Sequence, residues 1–426
     1  MKKNIFLLFA IVFTCSFYSL NAQTTCNANE VVCVDQTSAL DGNASLQNQS
    51  LQTSKSVCGF ENYNCDGLGL NLLMILIGVA IIVMGIFKKW EPLYLIPIGV
   101  GIIIGNVLLI TGIGNGGNDQ ATVLGILFQG LKSGLYPALI FLGIGAMTDF
   151  STIISNPKLM LIGAAAQIGV FCTFLGAFAL GFTPQEAGAI GLIGGAEGST
   201  VLYLASKLTP ENLATIAFVT YLLIALVPLI QTFVLKLLVN NSERKIQMKQ
   251  PRAVSFTEKI IFPLASLVVI SFITPHALPL LGMLFLGNIL KESGVTEKLA
   301  ETARTSVQNI VIVLIGLTVG VSLQGSAFIS VKTFEILLLG LVAIIAATVC
   351  GVLFAKLMNV FLDQSNKINP LIGCAGVSAS TNSAKVAQNE ALKADPNNHL
   401  LIHAMAPNIA GIIASAVAAG IFLSAL

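Results

Sequence analysis

From Leu68 to Phe87 the chain runs for 20 residues without a charged side chain, and comparable runs recur to the C-terminus. About 20 apolar residues wound as a helix cross roughly 30 Å of hydrocarbon. Inside that layer every backbone N–H and C=O must find its partner within the chain, which leaves helices or closed barrels. Runs this long and continuous select helices. Composition agrees, since 55% of the residues are hydrophobic and only 10% charged, against about 25% charged in a soluble domain. The fold class expected is therefore an all-α polytopic membrane protein with about 10–11 transmembrane segments. A formal net charge of +2 points away from nucleic acid or an acidic partner. The 39 glycines suit close helix packing and broken helices.

The candidate spans are 68–87, 93–114, 134–148, 158–182, 187–204, 214–239, 260–273 paired with 277–290, 307–323, 334–361, 370–379 and 400–426. The piece 123–131 is too short to cross alone. Lys88 and Lys89 close the first run beside Trp90, a cytoplasmic signature. The chain then returns outward to a nearly uncharged turn at 115–119. The loop 236–259, with Arg244, Lys245, Lys249 and Arg252, and the stretch 291–304, with Lys291, Lys298 and Arg304, belong in the cytoplasm by the same rule. Pro275 and Pro279 break the apolar stretch between them, as a hairpin returning to its own side requires. Residues 291–304 are expected along the membrane interface or as a solvated helix.

Residues 1–22 carry two lysines, an apolar core and Asn-Ala before Gln23, the pattern of a cleaved secretory signal; a first spanning helix is the other reading. Residues 23–66 are polar and hold Cys26, Cys33, Cys58 and Cys65. Exported, these cysteines are expected in disulfides of open connectivity. Cys172, Cys350 and Cys374 fall in apolar runs and read as small buried side chains.

Function must come from the few polar residues inside the apolar runs, because each is costly there unless satisfied or used. Gly191-Leu-Ile-Gly-Gly-Ala-Glu-Gly-Ser-Thr200 sets the carboxylate of Glu197 among glycines, and Leu371-Ile-Gly-Cys-Ala-Gly-Val-Ser378 repeats its pattern. The chain looks duplicated, with repeat one about 134–239 and repeat two about 307–426. Glycine-broken helices in corresponding halves free backbone carbonyls beside oxygen side chains, the sequence mark of an ion-translocating protein. The second segment offers Asn369, Gly373, Ser378, Thr381, Asn382 and then Lys385, which has no acid nearby before Glu390. Its partner is Glu197, an anionic substrate or the interface. Asn408 follows Pro407, expected to break or begin a helix; His403 reads as a structural hydrogen-bonder or a proton carrier, and Asp149 as an interfacial cap. No phosphate-binding loop, dinucleotide fingerprint or intramembrane Cys/His cluster supplies an energy source.

Gly143-Ile-Gly-Ala-Met-Thr-Asp-Phe150, Gly194-Gly-Ala-Glu-Gly198, Ala225-Leu-Val-Pro-Leu-Ile-Gln231, Ser242-Glu-Arg-Lys-Ile246, Ile368-Asn-Pro-Leu-Ile-Gly373, Ala375-Gly-Val-Ser378 and His403-Ala-Met-Ala-Pro-Asn408 together resemble the beta subunit of the sodium-pumping decarboxylases. That family includes the oxaloacetate, methylmalonyl-CoA and glutaconyl-CoA decarboxylase complexes. The likeness runs from about Leu68 to the C-terminus and leaves out the cysteine-containing segment. It implies a bacterial inner-membrane domain over 67–426, built of two inverted repeats with broken helices, in a homotrimer. Carboxybiotin would arrive from a biotin-carrier subunit loaded by a carboxyltransferase, with a small gamma- or delta-type membrane subunit alongside. Carbon dioxide would leave, a proton would be taken up, and sodium would move outward.

Carried onto this chain, the resemblance makes Glu197, Asn369, Gly373, Ser378 and Asn408 the sodium positions, Lys385 the residue that meets carboxybiotin, and Lys385 with Ser378 the catalytic pair. No biotin is expected on this chain, because Met248-Lys249 lacks the rest of a biotinylation site. Four positions depart from the family pattern: Glu197 stands for aspartate, Ser199 for proline, Lys385 for arginine and Leu223 for tyrosine. One consequence considered is that Glu197 carries a proton, or holds sodium through a water. A second function class, a sodium-coupled secondary transporter or antiporter without chemistry of its own, fits the same repeats and needs no biotin partner. A scaffold paralogue is a third.

Overall fold

The computed structural model describes residues 68–111 and 122–426, and among them every regular element is helical. The proposed signal 1–22, the cysteine-containing segment 23–66 and the whole turn at 115–119 with its flanks lie outside the described residues. Helices α1 (Leu68–Lys88) and α2 (Pro92–Thr111) form a hairpin whose bend holds Lys89 and Glu91 at φ 53° and 34°. Next, α3 (Val123–Lys132) and α4 (Leu135–Met147) meet at 63° across Gly134, which at φ 84° takes a conformation open to glycine. The piece too short to cross alone is thus the first arm of a bent span.

The first half continues through α5 (Ser151–Ser155), α6 (Met160–Ala166), α7 (Ile168–Ala179) and α8 (Pro184–Gly191). A 3-10 turn, Leu192–Gly195, leads to α9 (Gly198–Leu208), α10 (Leu213–Leu238) and α11 (Asn241–Arg244). The second half opens with the hairpin α12 (Phe256–Ile273) and α13 (Leu278–Glu292), turned at Pro275–Ala277 as the prolines require. It goes on through α14 (Glu297–Thr302), a π turn at Ala303–Val307, α15 (Gln308–Val321), α16 (Gly325–Phe328) and α17 (Val331–Val360). A second 3-10 segment, Pro370–Gly376, precedes α18 (Asn382–Ala394) and α19 (Leu401–Ala425).

The packing repeats when the halves are exchanged. α10 lies on α17 as α19 lies on α6; α9 packs on α19 as α18 packs on α10; and each 3-10 segment touches α17 and one of α6 or α7. The α1–α2 hairpin leans on α15, while the α12–α13 hairpin leans on α4. The same exchange of neighbours takes in the hairpin ahead of each half.

Among the described residues, eight helices are long and apolar enough to cross a membrane, nine with the bent α3–α4 pair. Of the eleven runs read from the sequence, the remaining two, 187–204 and 370–379, are the broken segments, where a turn replaces continuous helix. Within the stretch 291–304, α14 runs on through a π turn into α15, so it is continuous with the helix Glu297–Val321. Two expectations are corrected. Pro407 neither breaks nor begins a helix: it lies inside α19, two turns from the start, where only the carbonyl four residues earlier loses a partner. Cys172 is exposed and Cys350 half-buried on the outer helix faces, while Cys374 alone of the three is buried.

Candidate functional site

The two broken segments meet. The first 3-10 turn ends at Ala196, whose φ of 50° and ψ of 33° are left-handed, and Glu197 follows in extended conformation before α9 begins. The second starts on Asn369, whose Oδ1 accepts the Leu371 N–H at 3.0 Å, and is followed after Ser378 by Ala379 and Ser380 at φ 38° and 59°. Residues with a Cβ pay roughly 1–3 kcal/mol to stand there. The strain adjoins Glu197 on one side and Ser378 on the other.

Those two residues are bonded. Ser378 donates its backbone N–H to the Gly195 carbonyl at 3.1 Å and its hydroxyl to Glu197 Oε2 at 2.5 Å. Asn408 of α19 donates Nδ2–H to the Ser378 carbonyl at 2.8 Å and, at 3.5 Å, to that of Ala375. Glu197 is 3% exposed, and Ser378 and Asn408 are fully buried. Glu197 and Asn408 border a cavity of about 120 Å³, together with Ser199, Tyr221, Gln308 and Thr381. Tyr94 of α2 closes it, stacked on Tyr221 with ring centroids 4.4 Å apart. The Tyr221 hydroxyl, Gln308 Oε1 and Asn408 Oδ1 are buried without a hydrogen-bond partner. An unpaired buried polar atom costs about 1–3 kcal/mol. Three such oxygens beside one carboxylate are donors of the kind a hard cation takes.

The sequence-predicted residues divide. Glu197, Ser378 and Asn408 come together. Asn369 does not join them: its Nδ2 donates to the carbonyls of Arg244 and Ile246 at 3.0 and 2.8 Å, fixing the loop after α10, while its Oδ1 caps its own segment, so both ends of its amide are used. Gly373 instead lets the second segment lie on α17, because a Cβ there would stand 2.5 Å from the Gly351 carbonyl oxygen. Lys385 is exposed on α18, one helical turn after the cavity-lining Thr381; it is not paired with Glu197, whose carboxylate takes the Ser378 hydroxyl. His403 is buried in the first turn of α19 and does not border the cavity. Asp149 caps α5 by accepting the Ser151 N–H at 2.9 Å. Partial burial pushes its carboxyl up, but the Ser151 hydrogen bonds and the charges of Lys291 and Lys259 outweigh this and hold it below the usual carboxylate range.

Sequence reading passed over Tyr94, Gln308 and Glu91, which accepts a short hydrogen bond from Asn382 at the head of α18. The α1–α2 bend carries Tyr94 and Glu91 to the site from the far end of the chain, so no local spacing marked them. The signal present was a tyrosine and an acid beside the Lys-Lys-Trp interface.

Fold and site together define a multi-pass helical membrane protein whose two halves converge on one buried carboxylate. A family model described as the Na+-transporting oxaloacetate decarboxylase beta subunit matches residues 70–426. The beta subunit of methylmalonyl-CoA decarboxylase from Veillonella parvula is 47% identical over 84% of this chain and 93% of that relative. The beta subunit of glutaconyl-CoA decarboxylase from Acidaminococcus fermentans is 46% identical over 83% and 92%. The oxaloacetate decarboxylase beta chain of Klebsiella pneumoniae is 41% identical over 84% and 97%. The chain belongs to this family of Na+-transporting decarboxylase beta subunits. It is thus a membrane subunit of a multi-subunit decarboxylase.

Proposed function

We propose that the chain decarboxylates carboxybiotin delivered by a separate carrier subunit and couples that step to outward movement of sodium. The observation that carries this reading is Glu197: a buried carboxylate, hydrogen-bonded across the halves to Ser378, at the edge of a cavity with three unpartnered oxygens. Sodium would be held by Glu197 with Asn408 and Ser378, and Asn369 and Gly373 would support the second segment from behind. In the reaction the bond between the biotin nitrogen and the carboxyl carbon breaks, carbon dioxide leaves, and a proton takes its place on nitrogen. Lys385 suits the docking of the anionic carboxyl group, because it is exposed one turn from the cavity-lining Thr381. An ion that takes up Glu197 competes with the Ser378 hydroxyl, so occupancy at one segment is felt at the other.

The energetic scale follows from the potential: each charge exported costs about 2.3 kcal/mol per 100 mV. The two halves are taken as inverted about an axis in the membrane plane, which the exchange of helix neighbours supports. We place the chain in the bacterial inner membrane, with 1–22 as signal, 23–66 exported, and carboxyltransferase, biotin-carrier and small gamma- or delta-type subunits as partners of a homotrimer. The test is reconstitution of the full chain in vesicles with a carboxyltransferase and biotin carrier. Decarboxylation and sodium movement should rise together with sodium concentration and both be lost in Glu197→Gln. Sodium flux that proceeds without the carrier would identify a secondary transporter instead.

A further inference from the structure

Gln308 is the first residue of α15, straight after the π turn Ala303–Val307. A π turn inserts an extra residue into helical winding, re-aims the side chains that follow, and is found frequently at functional sites. Here it aims Gln308 at α4. A Cβ on Gly143 of α4 would stand 2.9 Å from Gln308 Oε1 and 2.9 Å from the Ala303 carbonyl oxygen, so the absent side chain at Gly143 is what admits the amide. The amide carbonyl oxygen is buried and unpartnered, and the residue lines the cavity of Glu197, Tyr221 and Asn408. A glutamine in an apolar helix costs free energy unless used, and an unpartnered carbonyl oxygen on a residue that lines this cavity can be satisfied by a water or a cation. The cavity, at about 120 Å³, has room for an ion with a few waters at roughly 30 Å³ each.

We propose that Gln308 is a specificity-determining ligand of the transported cation, supplying a neutral carbonyl oxygen from α15 to the ion held at Glu197. This rests on the reading of Glu197 as the ion's carboxylate. Gln308 brings its oxygen to the cavity from α15, a helix other than those that carry Glu197, Tyr221 and Asn408. The first half then supplies Glu197 and Tyr221, and the second Gln308 and Asn408.

The experiment is thermal unfolding of the purified full-length chain in detergent, titrated with sodium chloride against choline chloride at constant ionic strength. The wild-type melting temperature should rise with sodium to a saturating value, and Glu197→Gln should abolish the rise. Gln308→Leu should keep a saturable rise but move its midpoint about tenfold higher. Gln308→Glu, which keeps an oxygen and adds charge, should move it lower. If Glu197→Gln abolishes the response while the Gln308→Leu midpoint stays within twofold of wild type, the role of Gln308 is overturned and the Glu197 site stands. If Glu197→Gln responds like wild type, the ion is held elsewhere and both readings fall. Should Gln308→Leu not fold, a Gln308→Glu midpoint equal to that of wild type overturns the proposal alone.

Discussion

Ser378 gives its backbone N–H to the carbonyl of Gly195, so the two interrupted segments are joined main chain to main chain before any side chain takes part. This bond belongs to the frame. The hydroxyl of the same residue, on Glu197, is a separate contact that mutation can remove without touching the frame.

Ser378→Ala therefore leaves the segments joined and strips the carboxylate of its donor. Hydrogen bonds to a charged group contribute about 1.5–3 kcal/mol, and that is the loss of stability expected in chemical unfolding of the detergent-solubilised chain. Helical content should be unchanged. Stability equal to wild type would mean that Glu197 and the hydroxyl are not bonded in solution.

The close approach of Gly373 to α17 gives a second test. A methyl group at 373 would stand 2.5 Å from both the Gly351 carbonyl oxygen and the Val352 Cα, and one at 351 would stand 2.2 Å from the Gly373 carbonyl oxygen. Gly373→Ala and Gly351→Ala should each reach the upper end of the about 1–3 kcal/mol typical of overpacking, read as lowered melting temperature. Gly282, on α13 with nothing within 4 Å of its added Cβ, is the control. There alanine should stabilise by about 0.5–1 kcal/mol.

These contacts show where sequence reading reaches and where it stops. Apolar runs are a local property, so helices such as α1 and α10 were legible from their own residues. The breaks were legible for the same reason, because glycines surround Glu197 and precede Ser378. What Asn369 does was not legible. As an amide in a broken segment it reads as an ion ligand, but whether its oxygen is free depends on Leu371 and on two carbonyls of a loop more than 100 positions away. Gln308 failed to stand out because its direction is set by a π turn, which has no residue signature, and by a gap at Gly143 on another helix.

That distant loop is held by Arg244. Its Nη1 donates to Glu390 of α18 at 2.9 Å, its Nε to the Val239 carbonyl at 3.0 Å and its Nη2 to the Leu235 carbonyl at 2.9 Å. The last two close the C-terminal end of α10, the Leu235 carbonyl taking the guanidinium as well as the Val239 N–H. Glu390 is 1% exposed, so Arg244→Met leaves a buried carboxylate with only Lys393. Breaking such a pair costs about 3–5 kcal/mol, and the lower end is expected because Lys393 remains. Arg244→Lys should recover less than half, since an ammonium cannot reach three acceptors in one plane. Arg244→Met with Glu390→Met should recover more, and a double variant no more stable than Arg244→Met would show that the carboxylate is not the source of the loss.

Lys385 separates function from stability. It is exposed on α18, with Ser383, Ala384, Val386 and Ala387 around it buried, so the helix is anchored by its neighbours and not by the ammonium. Substitutions at exposed positions away from such contacts change stability by about 0.5 kcal/mol or less. Lys385→Met should therefore melt as wild type does and keep its sodium-dependent thermal shift. Decarboxylation of carboxybiotin should fall by at least tenfold, an effect of about 1.4 kcal/mol on the transition state, because the anionic carboxyl group loses its counter-charge. Lys385→Arg restores the charge and adds a two-pronged donor that matches a carboxylate, so activity should return to wild type or above. Wild-type turnover in Lys385→Met, measured as carbon dioxide released by the reconstituted complex, would move the docking of the substrate away from α18.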